Sequence, residues 1–233
     1  MRIITISREF GSGGRELGKR IADILGFDYY DSEIITAVAK QSGLDPRYVE
    51  HELGDHGWQQ FPVTYHSTIA SVAYIQSGRI ELLLEQRKVI EQIAQLGKDF
   101  VIVGRNADVI LEDYDPFNIF VCADMQAKID RCMERAPADE HITAKEMRRK
   151  IKQIDRQRSQ TRAVISGSVW GDPKGYDLTV NTTDWSIKEL APAVADFALR
   201  RFERGKMRPT LVPLSKKARW RRYLWNTTDS AIR

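Results

Sequence analysis

The first thirty residues constrain the fold most, because they place a strand, a glycine-rich turn and a helix in direct succession. Residues 2–6 (RIITI) are a short apolar strand, residues 7–15 (SREFGSGGR) a turn and residues 16–25 (ELGKRIADIL) an amphipathic helix. Glycines let the backbone approach an anion, and the N–H groups of such a turn and of the following helix N-terminus point towards it. The segment therefore predicts a phosphate cradle. Its residues are Gly11, Ser12, Gly13 and Gly14.

The turn departs from the P-loop pattern G-x-x-x-x-G-K-[ST] at three positions. Arg8 replaces the first glycine, Gly14 the lysine, and Arg15 the serine or threonine. Arg15 is the first cation after the glycines, so we predict that it supplies the charge normally given to the β- and γ-phosphates. The alternative is a tight turn between a strand and a helix that binds nothing.

Composition indicates an ordinary globular chain of one large or one-and-a-half domains. Of its 233 residues, 42% are hydrophobic and 29% charged. No apolar run is long enough to span a bilayer, and the N-terminal residues do not form a secretory signal. Cys122 and Cys132 follow no metal-binding spacing. These features predict a cytoplasmic protein with reduced thiols.

The charge is unevenly distributed. The net charge is +4, but residues 206–233 carry eight Lys or Arg residues and one acid, whereas residues 1–205 carry a small acidic excess. We therefore predict a basic C-terminal tail. Either it contacts an anionic partner, such as nucleic acid, a lipid surface or an acidic protein patch, or it is solvated and binds nothing.

Further along the chain, apolar strands alternate with helices, which predicts an α/β fold with a parallel sheet and helices on both faces. Residues 41–66 have little clean periodicity and indicate an irregular or short-helical insertion, whereas residues 79–96 have apolar positions at helical spacing and predict a helix. Ligands of such sheets bind at the carboxyl ends of the strands. Three motifs lie at those ends: the glycine turn, Tyr30-Asp31-Ser32, and Gly104-Arg105-Asn106 after the strand 100–103.

The segments ITIS, GSGGRELGKRIADILG, YYDSEII, VIVGRNA, PFNIFVCAD, DRQR and VWGDPKGYDLTVNT occur in an order that resembles the cytidylate kinase-like branch of the nucleoside monophosphate kinases. The resemblance covers about residues 1–200 and is weak over 41–97. It implies a P-loop kinase-type sheet flanked by helices, in a domain over 1–205 with a helical insertion at about 41–97 and an arginine-rich lid at about 143–175. The basic tail 206–233 has no counterpart.

The same resemblance implies ATP- and Mg²⁺-dependent phosphoryl transfer to a nucleoside monophosphate, with CMP or dCMP first. The glycine turn and Arg15 would hold the phosphates of ATP. Other residues would line the acceptor side: Asp31, Ser32, Arg105, Asn106 and Asp155. Two lid arginines, Arg158 and Arg162, would close over the transferring group, because guanidinium groups bind phosphate bidentately.

Several alternatives remain open at this stage. Asp31 alternatively complements the dipole of the next helix, Arg105 pairs with a surface acid, and Asp155 pairs with Arg158 on one helix face. The arginines of 143–162 alternatively form a solvated basic face. Asn106 replaces the aspartate of a G-R-D motif, so it fits an amino group or a carbonyl of the base. The chain is alternatively a nucleotide-binding regulatory protein without transferase activity, or a kinase of another small acceptor. The sequence identifies no metal ligands.

Overall fold

The computed structural model describes residues 1–46, 49, 69–136 and 142–206. Among these residues five strands form one parallel sheet of order β2-β3-β1-β4-β5. The strands are β1 (Ile3–Arg8), β2 (Asp28–Tyr30), β3 (Phe100–Val103), β4 (Phe117–Cys122) and β5 (Leu178–Asn181). The predicted α/β fold with a parallel sheet is therefore confirmed.

Helices connect the strands. They are α1 (Gly14–Leu25), α2 (Glu33–Ser42), α3 (Ile69–Gln95), α4 (Ala107–Ile110), α5 (Met125–Glu134), α6 (Ala144–Ser166) and α7 (Ile187–Lys206). Short 3-10 turns follow α4 and precede β5. This alternation brings the carboxyl ends of all five strands to one edge of the sheet.

The centre of the sheet is built from the most apolar segments. Every residue of β1 and of β3 is buried, as expected for strands covered on both faces. In the register, Ile6 of β1 lies between Val103 of β3 and Ile119 of β4. Arg8, at the last position of β1, is therefore placed in the middle of the edge where ligands bind.

Both faces of the sheet are covered by helices. On one face, residues of α2 and α3 form a buried cluster with Ile3, Phe100 and Ile102. On the other, α1 lies so close that a Cβ at Gly18 would be 2.8 Å from Val103 Cγ2 and 3.0 Å from Ile6 Cδ1. A smaller cluster joins α5 to α6. The glycine turn lies between these layers.

The helix boundaries have local causes. Gly26 ends α1 in the left-handed conformation, and its N–H donates to the carbonyl of Ala22. Thr143 and Glu146 form a capping box at the start of α6, where each side chain satisfies a backbone N–H of the other. Gly167 ends α6 in the left-handed conformation. The helix is thus fixed at both ends beside the predicted site.

The chain divides into two compact units, Met1–Leu199 and Arg200–Arg233. The predicted domain boundary at 205 and the basic tail 206–233 stay predictions, because residues 207–233 lie outside the described part. The limits of the lid also stay a prediction. Most of the first half of the 41–97 insertion also lies outside it. No helix in the described residues is both long and apolar enough to cross a membrane.

Candidate active site

The glycine turn forms a tight loop between β1 and α1. Gly11 and Gly13 have φ values of 79° and 83°, which residues with a side chain rarely adopt. Gly13 directly precedes α1. A Cβ at Gly11 would be 2.8 Å from Cys132 Sγ, and one at Gly13 would be 2.5 Å from Ile187 Cδ1. The first N–H groups of α1 have no partner within the helix. The loop therefore has the shape and the polarity of a phosphate cradle.

The start of the loop is held by α6 and α5. Asp155 of α6 accepts a hydrogen bond from the backbone N–H of Phe10, at 2.7 Å. Lys128 of α5 is buried and lies 3.0 Å from Glu9 Oε2 and 3.5 Å from Asp155 Oδ2. Burial raises the pKa of the Asp155 carboxyl, although the Phe10 N–H and nearby cations oppose this. Asp155 thus positions the loop in this structure.

The other side of the loop is held by the segment that follows β5. Thr182 is fully buried and its hydroxyl donates to the carbonyl of Ser12, at 2.7 Å. Arg131 of α5 donates to the carbonyls of Thr182 and Gly11. No local pattern in the sequence marks Lys128, Arg131 and Thr182, and each lies more than 110 residues from the loop. They act as supports of the cradle.

Cys132 lies beneath Gly11 and is buried. Burial raises the pKa of its thiol to about 11, so the thiol is protonated at neutral pH. Cys132 therefore fills space under the loop and is no nucleophile.

An open pocket lies beside the loop, at the carboxyl ends of β1 and β3. Its volume is about 500 Å³, measured out to the surrounding solvent. The described residues that line it include three arginines and no acidic side chain: Ser7, Arg8, Leu83, Gln86, Gly104, Arg105, Asn106, Arg158, Thr161 and Trp170. Arginine presents several N–H donors in a plane, so this lining fits an anionic group such as phosphate or carboxylate.

The turn after β3 forms one wall of the pocket with an unusual backbone. Gly104, Arg105 and Asn106 have φ values of 75°, 59° and 52°, so three successive residues are left-handed. Gln86 of α3 is buried and donates from its side-chain amide to the carbonyl of Arg105, at 3.1 Å. Left-handed non-glycine residues are strained and cluster at functional sites. This strained turn places Arg105 and Asn106 in the lining of the pocket.

Trp170 of the pocket lining belongs to an aromatic cluster. The ring of Phe120 meets the ring of Trp170 edge-on, with centroids 5.3 Å apart, and stacks tilted on Tyr176 at 5.0 Å. Burial, together with the charge of Asp108, raises the pKa of Tyr176. Trp170 thus gives the cationic pocket an apolar surface next to its arginines.

The structure brings Asp31 and Arg15 together at the end of β2. Asp31 is buried, and its carboxylate contacts Nε of Arg15. Nη2 of Arg8 lies 3.8 Å from the other carboxylate oxygen. The Arg15 side chain is 61% exposed. Ser32 is exposed at the N-terminus of α2 and its side chain makes no capping hydrogen bond there.

The two predicted lid arginines have different surroundings. Arg158 lines the pocket, donates to the carbonyl of Arg8 at 3.0 Å and lies 3.7 Å from Asp155. Arg162 is buried in an ion pair with Asp108 of α4, and its Nε donates to the hydroxyl of Ser168 at 2.7 Å. The structure therefore places Arg158 in the pocket and Arg162 behind it.

Metal-ligating side chains do not gather in one place among the described residues. No group of three or more His, Cys, Asp or Glu side chains among them is arranged to hold a metal ion. Arg15 occupies the position of the P-loop Ser or Thr, and the carboxylates of Asp31 and Asp155 already contact cations. Mg²⁺ is often bound through substrate phosphates and water, so a bound ATP would supply most of its ligands.

The cradle yields a prediction for Gly13. We expect that Gly13→Ala removes most of the increase in melting temperature that ATP produces, since its methyl group would meet Ile187 and displace the loop. The measurement is thermal unfolding with and without ATP. Gly26→Ala is the matched control, because Gly26 has a similar φ of 66° but a Cβ there meets nothing within 4 Å. Equal gains from ATP in both variants would place the ATP site elsewhere.

Comparison with solved structures supports a kinase-type fold. An uncharacterized protein from Eubacterium ventriosum is 24% identical, with a TM-score of 0.62 over 85% of this chain and 98% of that one. Shikimate kinase from Bacteroides thetaiotaomicron is 15% identical, with a TM-score of 0.50 over 84% of this chain and 97% of that one. A search of curated proteins found no match. The architecture is that of the P-loop kinases.

The sequence itself identifies the family. The sequence model of the family described as "Cytidylate kinase-like family" matches residues 3–184. These residues include the glycine turn, the turn after β3 and all of α6. The match covers well over half of the chain, in agreement with the resemblance seen in its motifs. The chain belongs to the cytidylate kinase-like family.

Proposed function

We propose that the chain transfers the γ-phosphoryl group of ATP to the phosphate of a nucleoside monophosphate, with CMP and dCMP as the first candidates. One observation carries the proposal: the phosphate cradle and the three-arginine pocket meet at the carboxyl ends of β1 and β3, and Arg8 directly precedes the loop while it lines the pocket. A donor and an acceptor bound there have their phosphates side by side, as transfer requires.

The donor side is the glycine loop. The backbone N–H groups of Gly11, Gly13 and Gly14 and the N-terminus of α1 bind the phosphates of ATP. The loop is braced from three elements, by Asp155, Lys128 and Thr182. A braced loop keeps its donors aimed at the phosphates without reorganisation, which is the main requirement for electrostatic catalysis.

The acceptor side is the pocket. Arg105 and Arg158 bind the phosphate of the monophosphate, and Asn106 meets the base with an amide that offers both a donor and an acceptor. Trp170 supplies a surface on which a base stacks. The proposal keeps Asp31, Ser32 and Asp155 on the acceptor side but changes the roles of the two acids. Asp31 contacts two arginines, and Asp155 holds the loop.

In the reaction, an oxygen of the acceptor phosphate attacks the γ-phosphorus in line. The bond from that phosphorus to the β–γ bridging oxygen breaks, and ADP leaves with the bond's electron pair. Charge spreads over the oxygens of the transferring group, and the guanidinium groups of the pocket stabilise it. Magnesium, carried with ATP, adds further charge neutralisation when bound.

A second acceptor class has support from the same pocket. Guanidinium groups bind carboxylates as well as phosphates, so a small anionic metabolite without a base also fits the arginines. The replaced P-loop lysine favours a third alternative, a protein that binds the nucleotide for regulation without transfer. An experiment must therefore establish which acceptor, if any, receives the phosphoryl group.

The test is a panel of acceptors. The full chain is incubated with ATP, Mg²⁺ and each of CMP, dCMP, UMP, AMP, GMP or shikimate, and ADP release is measured beside thermal shifts with the same ligands. We expect CMP or dCMP to raise ADP release above the rate with ATP alone. If ATP stabilises the chain but no acceptor raises ADP release, the chain is a nucleotide-binding protein. A response to shikimate alone would assign the other acceptor class.

A further inference from the structure

The P-loop pattern is altered at two positions that touch each other. The pattern asks for glycine at position 8 and lysine at position 14, and this chain has arginine at 8 and glycine at 14. The cation has thus moved from the first turn of α1 to the last residue of β1. The sequence alone shows this as two separate departures.

The structure shows that the two departures depend on each other. A Cβ at Gly14 would be 2.5 Å from Cβ of Arg8 and 3.1 Å from its Cγ. Gly14 is helical and does not have a left-handed φ, so its backbone would accept a lysine. The Cβ of Arg8 makes the closest contact, and Cβ of Val121 lies at 3.3 Å. A lysine at 14 therefore requires glycine at 8, and a residue with a Cβ at 8 requires glycine at 14.

The side chain of Arg8 runs across the edge of the sheet. It starts beside Gly14, passes the turn after β3 so closely that a Cβ at Gly104 would be 1.6 Å from Nη1, and reaches within 3.8 Å of Asp31 at the end of β2. It is 7% exposed and lines the pocket together with Arg105 and Arg158. Its guanidinium group therefore lies at the acceptor pocket beside the ends of β2 and β3, while the first atoms of the side chain lie against the glycine loop.

We propose that Arg8 is the cation that replaces the P-loop lysine, and that its guanidinium group binds an oxygen of the transferring phosphoryl group from the acceptor side of the loop. This rests on the proposed phosphoryl transfer. The ligand class is a polyphosphate chain in the glycine cradle whose last phosphate faces the pocket. Asp31 is the positioning residue, since it lies beside the Arg8 guanidinium group at the end that points away from Gly14.

Arg15 has a different place. Its guanidinium group contacts the second carboxylate oxygen of Asp31, and its side chain is mostly exposed to solvent. Arg8 is buried at the pocket. A charge acts more strongly on a phosphate where water is excluded, so Arg8 is the better placed of the two. Arg15 then holds Asp31, and through it Arg8.

A purely structural role of Arg8 makes a different prediction from this proposal. If Arg8 only pairs with Asp31, then a lysine at position 14 gives nothing back when Arg8 is removed. If Arg8 carries the charge of the missing lysine, then moving the cation back restores transfer. The reciprocal exchange Arg8→Gly with Gly14→Lys is therefore decisive.

The experiment compares Arg8→Met, Arg8→Lys and the double variant Arg8→Gly/Gly14→Lys. The first readout is ADP release with the best acceptor, and the second is calorimetric binding of inorganic tripolyphosphate. We expect Arg8→Met to lower kcat about a hundredfold and to weaken tripolyphosphate binding about tenfold. The double variant recovers kcat to within about tenfold of the unaltered chain. Arg8→Lys, which keeps a charge without the planar fork, falls between them.

Three outcomes would overturn the proposal. One is a folded Arg8→Met variant with unchanged kcat and unchanged tripolyphosphate binding. Another is a folded double variant no more active than Arg8→Met. The third is a hundredfold loss in Arg15→Ala with none in Arg8→Met. Failure of the proposed function is distinguishable: if no acceptor is phosphorylated, the loss of tripolyphosphate binding in Arg8→Met and its recovery in the double variant still decide whether Arg8 is the cation.

Discussion

Replacing Asp108 by alanine lowers the free energy of unfolding by about 3–5 kcal/mol, on the scale measured when one partner of a buried ion pair is removed. Asp108 and Arg162 are both almost completely buried and in direct contact. Without Asp108, the guanidinium group of Arg162 stays in the protein interior without its ionic partner. Its Nε still donates to the hydroxyl of Ser168. Urea unfolding followed by circular dichroism measures the loss.

Two controls separate this pair from ordinary charge effects. Asp23→Ala removes one partner of the exposed pair with Lys19 and is expected to cost less than about 1 kcal/mol. Asp108→Leu/Arg162→Met replaces both buried charges with apolar groups and is expected to cost less than Asp108→Ala. A loss below about 1 kcal/mol in Asp108→Ala would contradict the interpretation.

The pair also bears on the role predicted for Arg162 as a lid arginine. In this structure Arg162 joins α6 to α4, which directly follows the turn that carries Arg105 and Asn106. The pair therefore holds the helix of Arg158 and the turn of Arg105 at a fixed separation across the pocket. Direct contact of Arg162 with the transferring group stays a prediction, tested by the ratio of kcat in Arg162→Lys and in the unaltered chain.

The order of strands and helices follows from local sequence to a large degree. Runs such as Phe100–Val103 are continuously apolar because both faces of the strand are covered, and glycines such as Gly26 mark the helix ends. The helix predicted over 79–96 is found as α3, which begins earlier, at Ile69, and continues through Gly78. Glycine disfavours the helical conformation by about 1 kcal/mol. Local propensity therefore does not predict a helix that continues through Gly78, although the helix does so in the structure.

The part of the candidate site that one segment forms is the part that the sequence describes best. The cradle depends on Gly11 and Gly13, which are neighbours in sequence, and the structure gives them the shape that the pattern indicates. Supports such as Lys128 and Thr182 reach the loop from distant parts of the chain. Their type is ordinary for a helix face or a strand end, so only the folded chain identifies them.

The same limit explains Arg8. From the sequence it is a departure from the P-loop pattern, and Arg15 is the next cation after the glycines. The contact between Arg8 and Gly14 exists because β1 and α1 diverge from the loop with their ends adjacent. Such a contact follows from the geometry of the turn, which the P-loop sequence pattern does not describe.

Replacing Arg158 by alanine lowers kcat for phosphoryl transfer about a hundredfold, which is the usual cost of one lost electrostatic donor. Arg158 lines the pocket next to Arg8 and Arg105, with a side chain that is only 14% exposed. Its Nη1 donates to the carbonyl of Arg8, so the guanidinium group is held at the junction of loop and pocket. If Arg158 stabilises the charge that develops on the transferring group, as proposed, the loss is expected mainly in kcat and less in KM for ATP.

Arg156→Ala is the matched control, because Arg156 lies on the same helix two residues earlier and is exposed. The control is expected to change kcat less than twofold. Arg158→Lys keeps the charge but not the planar fork, so only part of the rate returns. Melting temperatures of all three variants establish that they are folded. If Arg158→Ala keeps kcat within threefold of the unaltered chain, or if Arg156→Ala loses as much, the arginines of α6 act as a general basic surface, and the pocket binds its anion through Arg8 and Arg105 without help from the lid.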